Sequence, residues 1–376
     1  MAIKEKEKKH TKGKTLIIIL IIIAAIVGTG IAVINIMVKP VDDKNENALY
    51  VGGLRKSDSI EYESEDAKGL KNNLIIQIMQ IVWKSTDKSD KAIHETQSEP
   101  TGVIKIKDIP YLDTNNPYHT LDIFYPEGEI AEEGLPVIID IHGGGWMYAT
   151  KDLNQNYCME LAKKGYTVFS ISYRLVPDVT VNEQLQDCSN ALKWISENMN
   201  NYPANPNTVM LTGDSAGGML SAYETVLNQS AEMREIFNTC ETNLNIKCLL
   251  LTSPVAYMKN GGPMSIYTKL LWGKDYKTKP TYDYMDFNEI IDFADNMPPT
   301  YLITSSGDNL AHDQTVTAYN LLNERGIDCE IKDFGEYNGE KLRHVFSVLD
   351  PFGEPGQEAI DGALEYYQNT LLKEHL

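Results

Sequence analysis

From Val103 to the C-terminus, short apolar runs alternate with longer segments whose apolar residues recur at helical spacing. Along the chain, strand-like and helix-like runs follow one another at 121–126, 136–141, 154–164, 167–171, 183–199, 208–211, 219–227, 249–251, 301–304, 314–325 and 329–334. Apolar strands that alternate with helices are typical of a parallel sheet covered on both faces. The pattern therefore predicts an α/β fold with a mostly parallel central sheet flanked by helices.

The N-terminus has a different pattern, in which a lysine-rich tail precedes a long apolar run. Residues 16–38 contain no charged side chain over 23 positions. At about 1.5 Å per residue, a helix of this length crosses a bilayer, and its basic flank is expected on the cytoplasmic side. We predict a cytoplasmic tail at 1–14, a transmembrane signal-anchor at 15–38 and an extracytoplasmic C-terminal domain. The alternative is a secreted protein, released by signal cleavage near 28–30.

Residues 39–100 separate this run from the domain that we predict at 101–376. The stretch 40–66 is polar and charged, which indicates a linker or exposed spacer. The stretch 70–83 places apolar residues at the spacing of an amphipathic helix. The unit 39–100 is therefore predicted to contain a linker followed by one helix.

The segment 257–298 interrupts the alternation of strands and helices and is rich in tyrosine, tryptophan and methionine. We predict a cap insertion at 256–299. Aromatic side chains dominate both ligand pockets and apolar cores, so the residues of this segment are expected to line a pocket or to form the core of the insertion.

The most informative motif is 213–218, Gly-Asp-Ser-Ala-Gly-Gly, between a strand-like run and a helical pattern. A Gly-x-Ser-x-Gly sequence in this context predicts a sharp turn that presents the Ser215 hydroxyl as a nucleophile. A Cβ at Gly213 or Gly217 would collide with neighbouring backbone in so tight a turn.

A second motif, 142–146, reads His-Gly-Gly-Gly-Trp and directly follows a buried strand. Acyl transfer needs backbone amides that hold the negative oxygen of a tetrahedral intermediate. The amides of Gly144 and Gly145, with that of Ala216, are the candidates for this oxyanion hole. A mobile glycine loop or a phosphate-binding loop is the alternative, although no Lys-Ser/Thr pair follows as a P-loop requires.

The motifs at 142–146 and 213–218 together resemble those of the hormone-sensitive-lipase-like branch of the α/β-hydrolases. The segments 121–126 and 172–177 also resemble segments of that family, with Val176 in place of an alanine. The resemblance implies the α/β-hydrolase fold over the chain from Val103 onward. It also implies that an N-terminal helix covers the mouth of the active site, with packing on the domain flank as the equal alternative.

The resemblance implies the chain order serine, acid, histidine. Asp308 follows the strand-like run 301–304 and is the predicted acid, although Asp308-Asn309-Leu310 replaces the usual Asp-Pro-Leu. Asp313 is the rival acid, but it falls beside the helical pattern 314–325.

The predicted general base is His344, which lies in a loop after the last strand-like run. The family usually has glycine after this histidine, whereas Val345 stands here. Of the other histidines, His142 belongs to the glycine loop and is expected to order it.

Composition limits the function classes further. The chain has 376 residues and a net charge of −19, which argues against binding to nucleic acid through phosphate contacts. No cofactor or metal is expected, because Ser215, His344 and Asp308 suffice for acyl transfer. The expected partners are a small-molecule ester and the membrane.

The five cysteines are odd in number and contain no Cys-x-x-Cys pair. Cys240 and Cys248 are the closest pair, and the sequence leaves open whether they form a disulfide. The oligomeric state also cannot be derived from the sequence.

These features predict a membrane-tethered serine carboxylesterase that acts through an acyl-serine intermediate on small to medium esters. Two alternatives remain, a non-catalytic binding protein on the same fold and a serine peptidase on that fold.

Overall fold

A computed structural model of the chain describes residues 30–31, 33–39, 41–42, 51–56, 63–294 and 296–373. The strands of its main sheet are β1 (Val103–Pro110), β2 (Thr120–Pro126), β3 (Leu135–Ile141), β4 (Thr167–Ile171), β5 (Ala204–Asp214), β6 (Ile246–Thr252), β7 (Thr300–Ser305) and β8 (Cys329–Phe334). The α-helices with bounds in the described part are α1 (Leu74–His94), α2 (Gln155–Lys163), α3 (Val181–Asn198), α4 (Ala216–Gln229), α5 (Ala231–Phe237), α6 (Ser265–Thr268), α7 (Phe287–Ile290), α8 (His312–Glu324), α9 (Phe346–Leu349) and α10 (Glu354–Lys373). Residues 30–31 and 33–37 are also helical.

The eight strands form one sheet in the order β8-β7-β6-β5-β3-β4-β2-β1. Strand β2 runs antiparallel to β1 and β4, and the remaining neighbours are parallel. The predicted mostly parallel sheet is therefore confirmed. Because the carboxyl ends of parallel strands share one edge, the loops after β3, β5, β7 and β8 meet there. These loops carry the glycine motif 142–146, Ser215, Asp308 and His344.

The stretch 51–54 departs from the predicted exposed spacer at 40–66. Val51 and Leu54 are fully buried in a small apolar cluster with Tyr148 and Ala149. The amide of Gly52 donates to the carbonyl of Met147 at 2.8 Å. The spacer prediction is wrong for this stretch, because its few apolar residues pack beside the glycine loop although their neighbours in sequence are polar.

The predicted tail at 1–14 and most of the predicted anchor at 15–38 lie outside the described residues. Among the described residues, no helix combines the length and apolar character needed to cross a bilayer.

The predicted cap at 256–299 consists of α6, α7 and several 3₁₀ turns. Met258, Trp272 and Met285 are fully buried in the main core. Tyr257 and Met264 are half-buried against the same core and also border a cavity. The core role is therefore confirmed for the three buried side chains, whereas the lining of a ligand pocket stays a prediction.

The described cysteines include no disulfide. Cys248 is buried in the core of the sheet, whereas Cys240 is half-buried and lies near the Asn190 amide oxygen. Cys240 and Cys248 therefore form no disulfide bond with each other.

Helix α1 is longer than the predicted 70–83 and packs on the glycine loop. The Trp83 ring stacks on Tyr148, with centroids 5.7 Å apart, and its indole Nε1 donates to the Tyr267 hydroxyl at 3.4 Å. Tyr267 in turn donates to the carbonyl of Gly145 at 2.7 Å. Gln80 Nε2 donates to the carbonyl of Gly52 at 2.8 Å. These contacts place α1 on the glycine loop, and its coverage of the active-site mouth stays a prediction.

Gly145 fits beneath α1 only because it has no side chain. Its φ is +57°, and an added Cβ would lie 2.1 Å from Cζ2 of Trp83. Gly145→Ala is therefore expected to destabilise the protein by about 1–3 kcal/mol, as overpacked cores do. In the Trp83→Ala background the same change should cost clearly less, which urea unfolding of the four proteins measures as a double-mutant cycle.

Gly326→Ala provides the matched control, since Gly326 has a φ of +71° and no atom within 4 Å of the added Cβ. Its cost is expected to be the same with and without Trp83. Additive effects of Gly145→Ala and Trp83→Ala would contradict the packing of α1 on the loop.

Candidate active site

The turn that carries Ser215 is built by close backbone packing. Strand β5 ends at Asp214, α4 begins at Ala216, and Ser215 between them has φ 52° and ψ −115°. A Cβ at Gly217 would lie 1.9 Å from the carbonyl oxygen of Ile141, and one at Gly213 would lie 2.4 Å from that of Gly217. The predicted need for both glycines is confirmed. The positive φ is a strained conformation for serine, maintained by the surrounding structure.

The three side chains predicted as nucleophile, base and acid lie in one hydrogen-bonded line. His344 Nε2 is 2.8 Å from the Ser215 hydroxyl, and His344 Nδ1 is 2.8 Å from Oδ2 of Asp308. Ser215 and Asp308 are buried, whereas the His344 side chain is about a quarter exposed. The rival acid Asp313 lies exposed on α8 and contacts His312 instead.

The orientation of Asp308 is fixed by its own loop. Its Oδ1 accepts hydrogen bonds from the amides of Leu310 and Ala311, at 3.0 and 2.9 Å. Burial alone would raise the pKa of this carboxyl, but the hydrogen bond and charge of His344, with the Ala311 amide, outweigh burial and lower the pKa. Asp308 therefore remains ionised and accepts a hydrogen bond from His344 Nδ1, which leaves Nε2 available to take the serine proton.

The glycine loop after β3 is held by His142 and Tyr173. His142 is fully buried, and its ring stacks on Tyr173 with centroids 4.3 Å apart. The Tyr173 hydroxyl donates to the carbonyl of His142 at 2.7 Å. Burial lowers the pKa of His142 to about 4, so that its ring is neutral at pH 7 and donates from Nδ1 to the carbonyl of Gly143 at 2.8 Å. Its position agrees with the expected role in ordering the loop.

Backbone amides of the two motifs are available for an oxyanion. The amide of Gly143 is engaged, since it donates to Asp214 Oδ1 at 3.0 Å. The amides of Gly144, Gly145 and Ala216 donate to no other residue in the part of the chain that the structure describes. The loop after β3 contacts the turn at Ser215 directly, through the approach of Gly217 to the end of that strand.

A buried polar network beneath the glycine loop was not found from the sequence. The Asn154 amide Nδ2 lies 3.2 and 3.1 Å from the two oxygens of Asp140 and 2.9 Å from Oδ1 of Asp214. Ser170 also donates to Asp140, at 3.1 Å. One signal was present, because an aspartate in the middle of the apolar strand 136–141 is rare without a buried partner.

Two buried carboxyl groups bridged by one amide cannot easily both be charged. Burial, together with the negative charge of Asp214, raises the pKa of Asp140 to about 7. Burial also raises the pKa of Asp214, against the hydrogen bond from Asn154. The network therefore holds a proton on Asp140 below neutral pH, while Asp214 holds the Gly143 amide.

A cavity of about 580 Å³ lies beside the acid loop. It is bordered by Asp308 and otherwise lined by residues of the cap segment, of the acid loop and of α8, which include Tyr257, Asn260, Met264, Leu310 and Gln314. Ser215 and His344 are not among its lining residues. Its walls are about equally polar and apolar, so this cavity suits a moderately polar organic group.

The shifted pKa of Asp140 leads to a testable pH dependence of stability. An unfolded aspartate has a pKa of about 3.9, so the folded protein binds this proton more tightly and loses stability as pH rises from 4 to 7. Asp140→Asn has no such titration. Its stability relative to the wild type should therefore rise between pH 5 and 7, by up to about 1.4 kcal/mol per pH unit.

Urea unfolding at several pH values measures this difference, and Asp275→Asn at an exposed position of the cap segment is the control. A stability difference between Asp140→Asn and the wild type that stays constant over this pH range would contradict the buried protonated carboxyl.

Comparisons with known proteins agree with the geometry. The BD-FAE family model matches residues 121–322, more than half of the chain. The crystal structure of an inhibited esterase B from Lactobacillus rhamnosis superposes with a TM-score of 0.75 and 29% identity, over 80% of this chain and 98% of that one.

Two enzymes are similar to the chain over shorter stretches. Carboxylesterase NlhH from Mycobacterium tuberculosis is 32% identical over 101 residues, which are 27% of this chain and 31% of that protein. The isoprenylcysteine alpha-carbonyl methylesterase ICME from Arabidopsis thaliana is 26% identical over 121 residues, 32% of this chain and 28% of that protein. The chain thus spans about a third of the length of each of these two relatives. The family model shows that the chain belongs to the BD-FAE family, and with the esterase relatives it identifies the chain as a hormone-sensitive-lipase-like α/β-hydrolase and a serine ester hydrolase.

Proposed function

We propose that this protein is a serine carboxylesterase that hydrolyses small to medium carboxylic esters through an acyl-Ser215 intermediate. The observation that carries the proposal is the line from Ser215 through His344 to Asp308, with 2.8 Å between the atoms of each contact. A serine hydroxyl is a weak nucleophile until an adjacent base accepts its proton, and the contact of His344 Nε2 with the Ser215 hydroxyl supports His344 as that base.

In the first half of the proposed reaction, Ser215 Oγ attacks the ester carbonyl and its proton passes to His344 Nε2. The carbonyl oxygen becomes negative and accepts hydrogen bonds from the amides of Gly144, Gly145 and Ala216. Asp308 stabilises the imidazolium that forms. The C–O bond to the alcohol then breaks, and His344 returns the proton to the leaving alkoxide.

In the second half, water replaces the alcohol. His344 Nε2 accepts a proton from the water as its oxygen attacks the acyl carbon, and the same amides hold the second oxyanion. The bond to Ser215 Oγ breaks, the serine regains the proton from His344, and the carboxylic acid leaves. Loss of one oxyanion donor typically lowers turnover by about 10²–10³.

The substrate class is proposed from the cavity and from one relative. The cavity of about 580 Å³ beside Asp308 is proposed to accept a substrate group that extends past the acid loop. For one form of esterase B from Lactobacillus rhamnosis, 30% identical to this chain, the crystal structure was solved after inhibition by a tributyrin phosphonate. This relative favours esters with short acyl chains among the small to medium esters proposed as substrates.

The mechanism predicts the effects of three substitutions. Ser215→Ala and Asp308→Asn should lower kcat/KM for p-nitrophenyl butyrate by about 10³-fold or more, because the nucleophile or the correct histidine tautomer is lost. Asp313→Asn, the matched control five residues after Asp308, should keep activity near that of the wild type. Stopped assays on purified variants, with urea unfolding to verify folding, measure these effects.

Full activity in folded Ser215→Ala would remove Ser215 from the mechanism. Equal losses in Asp308→Asn and Asp313→Asn would reject the choice of acid. An amide matched to the ester distinguishes an esterase from a peptidase, and the absence of turnover of either by wild-type protein would favour a binding function.

We further propose that the enzyme is tethered to a membrane, with its catalytic domain on the extracytoplasmic side. The support is the uncharged run 16–38 behind a tail with six lysines between Lys4 and Lys14. A run of this length exceeds the apolar region of a cleaved signal, which is usually about 7–15 residues.

We therefore expect the full chain to be found in the membrane fraction, to resist extraction with alkaline carbonate and to retain the lysine-rich tail. Ile22→Lys with Ile23→Lys should release the protein, since each charge at a helix centre costs about 2.5–3.5 kcal/mol for insertion. Protease added outside sealed cells tests the orientation. A shortened protein in the medium would instead support the secreted form.

A further inference from the structure

Four large apolar side chains on one side of α1 are exposed to solvent. Leu74, Ile75, Ile78 and Val82 have exposed fractions of 44, 36, 44 and 47%. With 3.6 residues per turn, these four positions fall within about 100° around the helix axis and therefore project from one side of α1. We call this set the apolar face of α1.

The apolar face is confined to the first half of α1. Farther along the same side of the helix, the exposed residues are Ser85, Lys88, Ser89 and Ala92. The opposite side of α1 packs on the domain through Ile76, Gln80 and Trp83. A contiguous exposed apolar surface that ends at a polar region is typical of an interaction site.

The neighbour of this face is the end of the predicted anchor. Gln77 Nε2, on the second turn of α1, donates to the Asn35 amide oxygen at 3.2 Å, and Asn35 belongs to the uncharged run 16–38. Around Asn35, the side chains of Val33, Ile36 and Met37 are also exposed, with fractions of 50, 65 and 44%. Two exposed apolar surfaces therefore lie at one place on the molecule, and one of them is continuous with the run proposed to enter the bilayer.

We propose that the apolar face of α1 lies against the phospholipid bilayer, within the interface where the anchor leaves it. This proposal rests on the proposed membrane tether. An amphipathic helix in this position buries its apolar side at the boundary of headgroups and acyl chains while its polar residues remain in water. Because Trp83 on the other side of α1 covers Gly145, a single helix separates the lipid surface from the glycine loop.

The test uses the full chain, reconstituted in vesicles of phosphatidylcholine and phosphatidylglycerol. A nitroxide label is attached at Ile78→Cys or, as the matched control on the same side of α1, at Ser89→Cys. Both variants carry Cys240→Ser and Cys329→Ser, because these two half-buried thiols would also react. In the spin-relaxation measurement, the label at 78 should collide often with oxygen, which dissolves in lipid, and rarely with a water-soluble nickel chelate. The label at 89 should collide freely with the nickel chelate.

Nickel collisions at 78 equal to those at 89 would overturn the proposal. A label at 78 that is shielded from nickel and oxygen alike would also overturn it, since another segment or a second copy then covers the face. Release of the full chain from membranes by alkaline carbonate would reject the tether. If the released protein then fails to float with the same vesicles, the lipid contact of α1 is rejected as well.

A double variant, Ile78→Ser with Val82→Ser, separates this proposal from the proposed esterase function. Its turnover of p-nitrophenyl acetate is compared with that of the wild type. These side chains lie outside the site, so turnover of this soluble ester should be unchanged. Failure of the wild type on this ester would reject the esterase, whereas the label alone decides the lipid contact.

Discussion

The contact on which the active site depends is the approach of the Ser215 turn to the end of strand β3. At Gly217 the backbone lies so close to the Ile141 carbonyl that even one methyl group would not fit. This contact brings the start of α4 and the glycine loop together, and it allows Asp214 to hold the Gly143 amide. The nucleophile and the proposed oxyanion donors are thus positioned by backbone packing rather than by flexible side chains.

Close packing at this edge of the sheet buries several carboxyl groups. Each of them has hydrogen-bond partners, but the groups differ in whether they carry a charge or a proton. Asp308 is held ionised by loop amides and His344, whereas Asp140 shares an amide with Asp214 and holds a proton below about pH 7. One carboxyl is thereby kept available for His344. The others serve the glycine loop, where a neutral Asp140 avoids two adjacent buried charges.

Helix α1 connects this site to the surroundings of the domain. One side of it covers Gly145 through Trp83, and the other exposes the apolar face. A helix that only packed on the domain would be expected to carry polar residues on its outer side. The two-sided character of α1 is the reason for proposing a lipid contact next to the active site.

The sequence by itself determined most of the alternating strands and helices between 121 and 334 and selected Ser215, Asp308 and His344 as candidates, but it gave no sign of strand β1 or of helices α5 and α10. The selection was possible because glycine patterns mark tight turns locally and the carboxyl ends of parallel strands share an edge. Tertiary structure alone decided that Asn154 bridges two carboxyl groups, that Trp83 covers Gly145 and that Val51 is buried in a polar stretch. The local pattern around each of these residues does not specify its partner, because the contacts join segments far apart in the chain and depend on which helix faces meet.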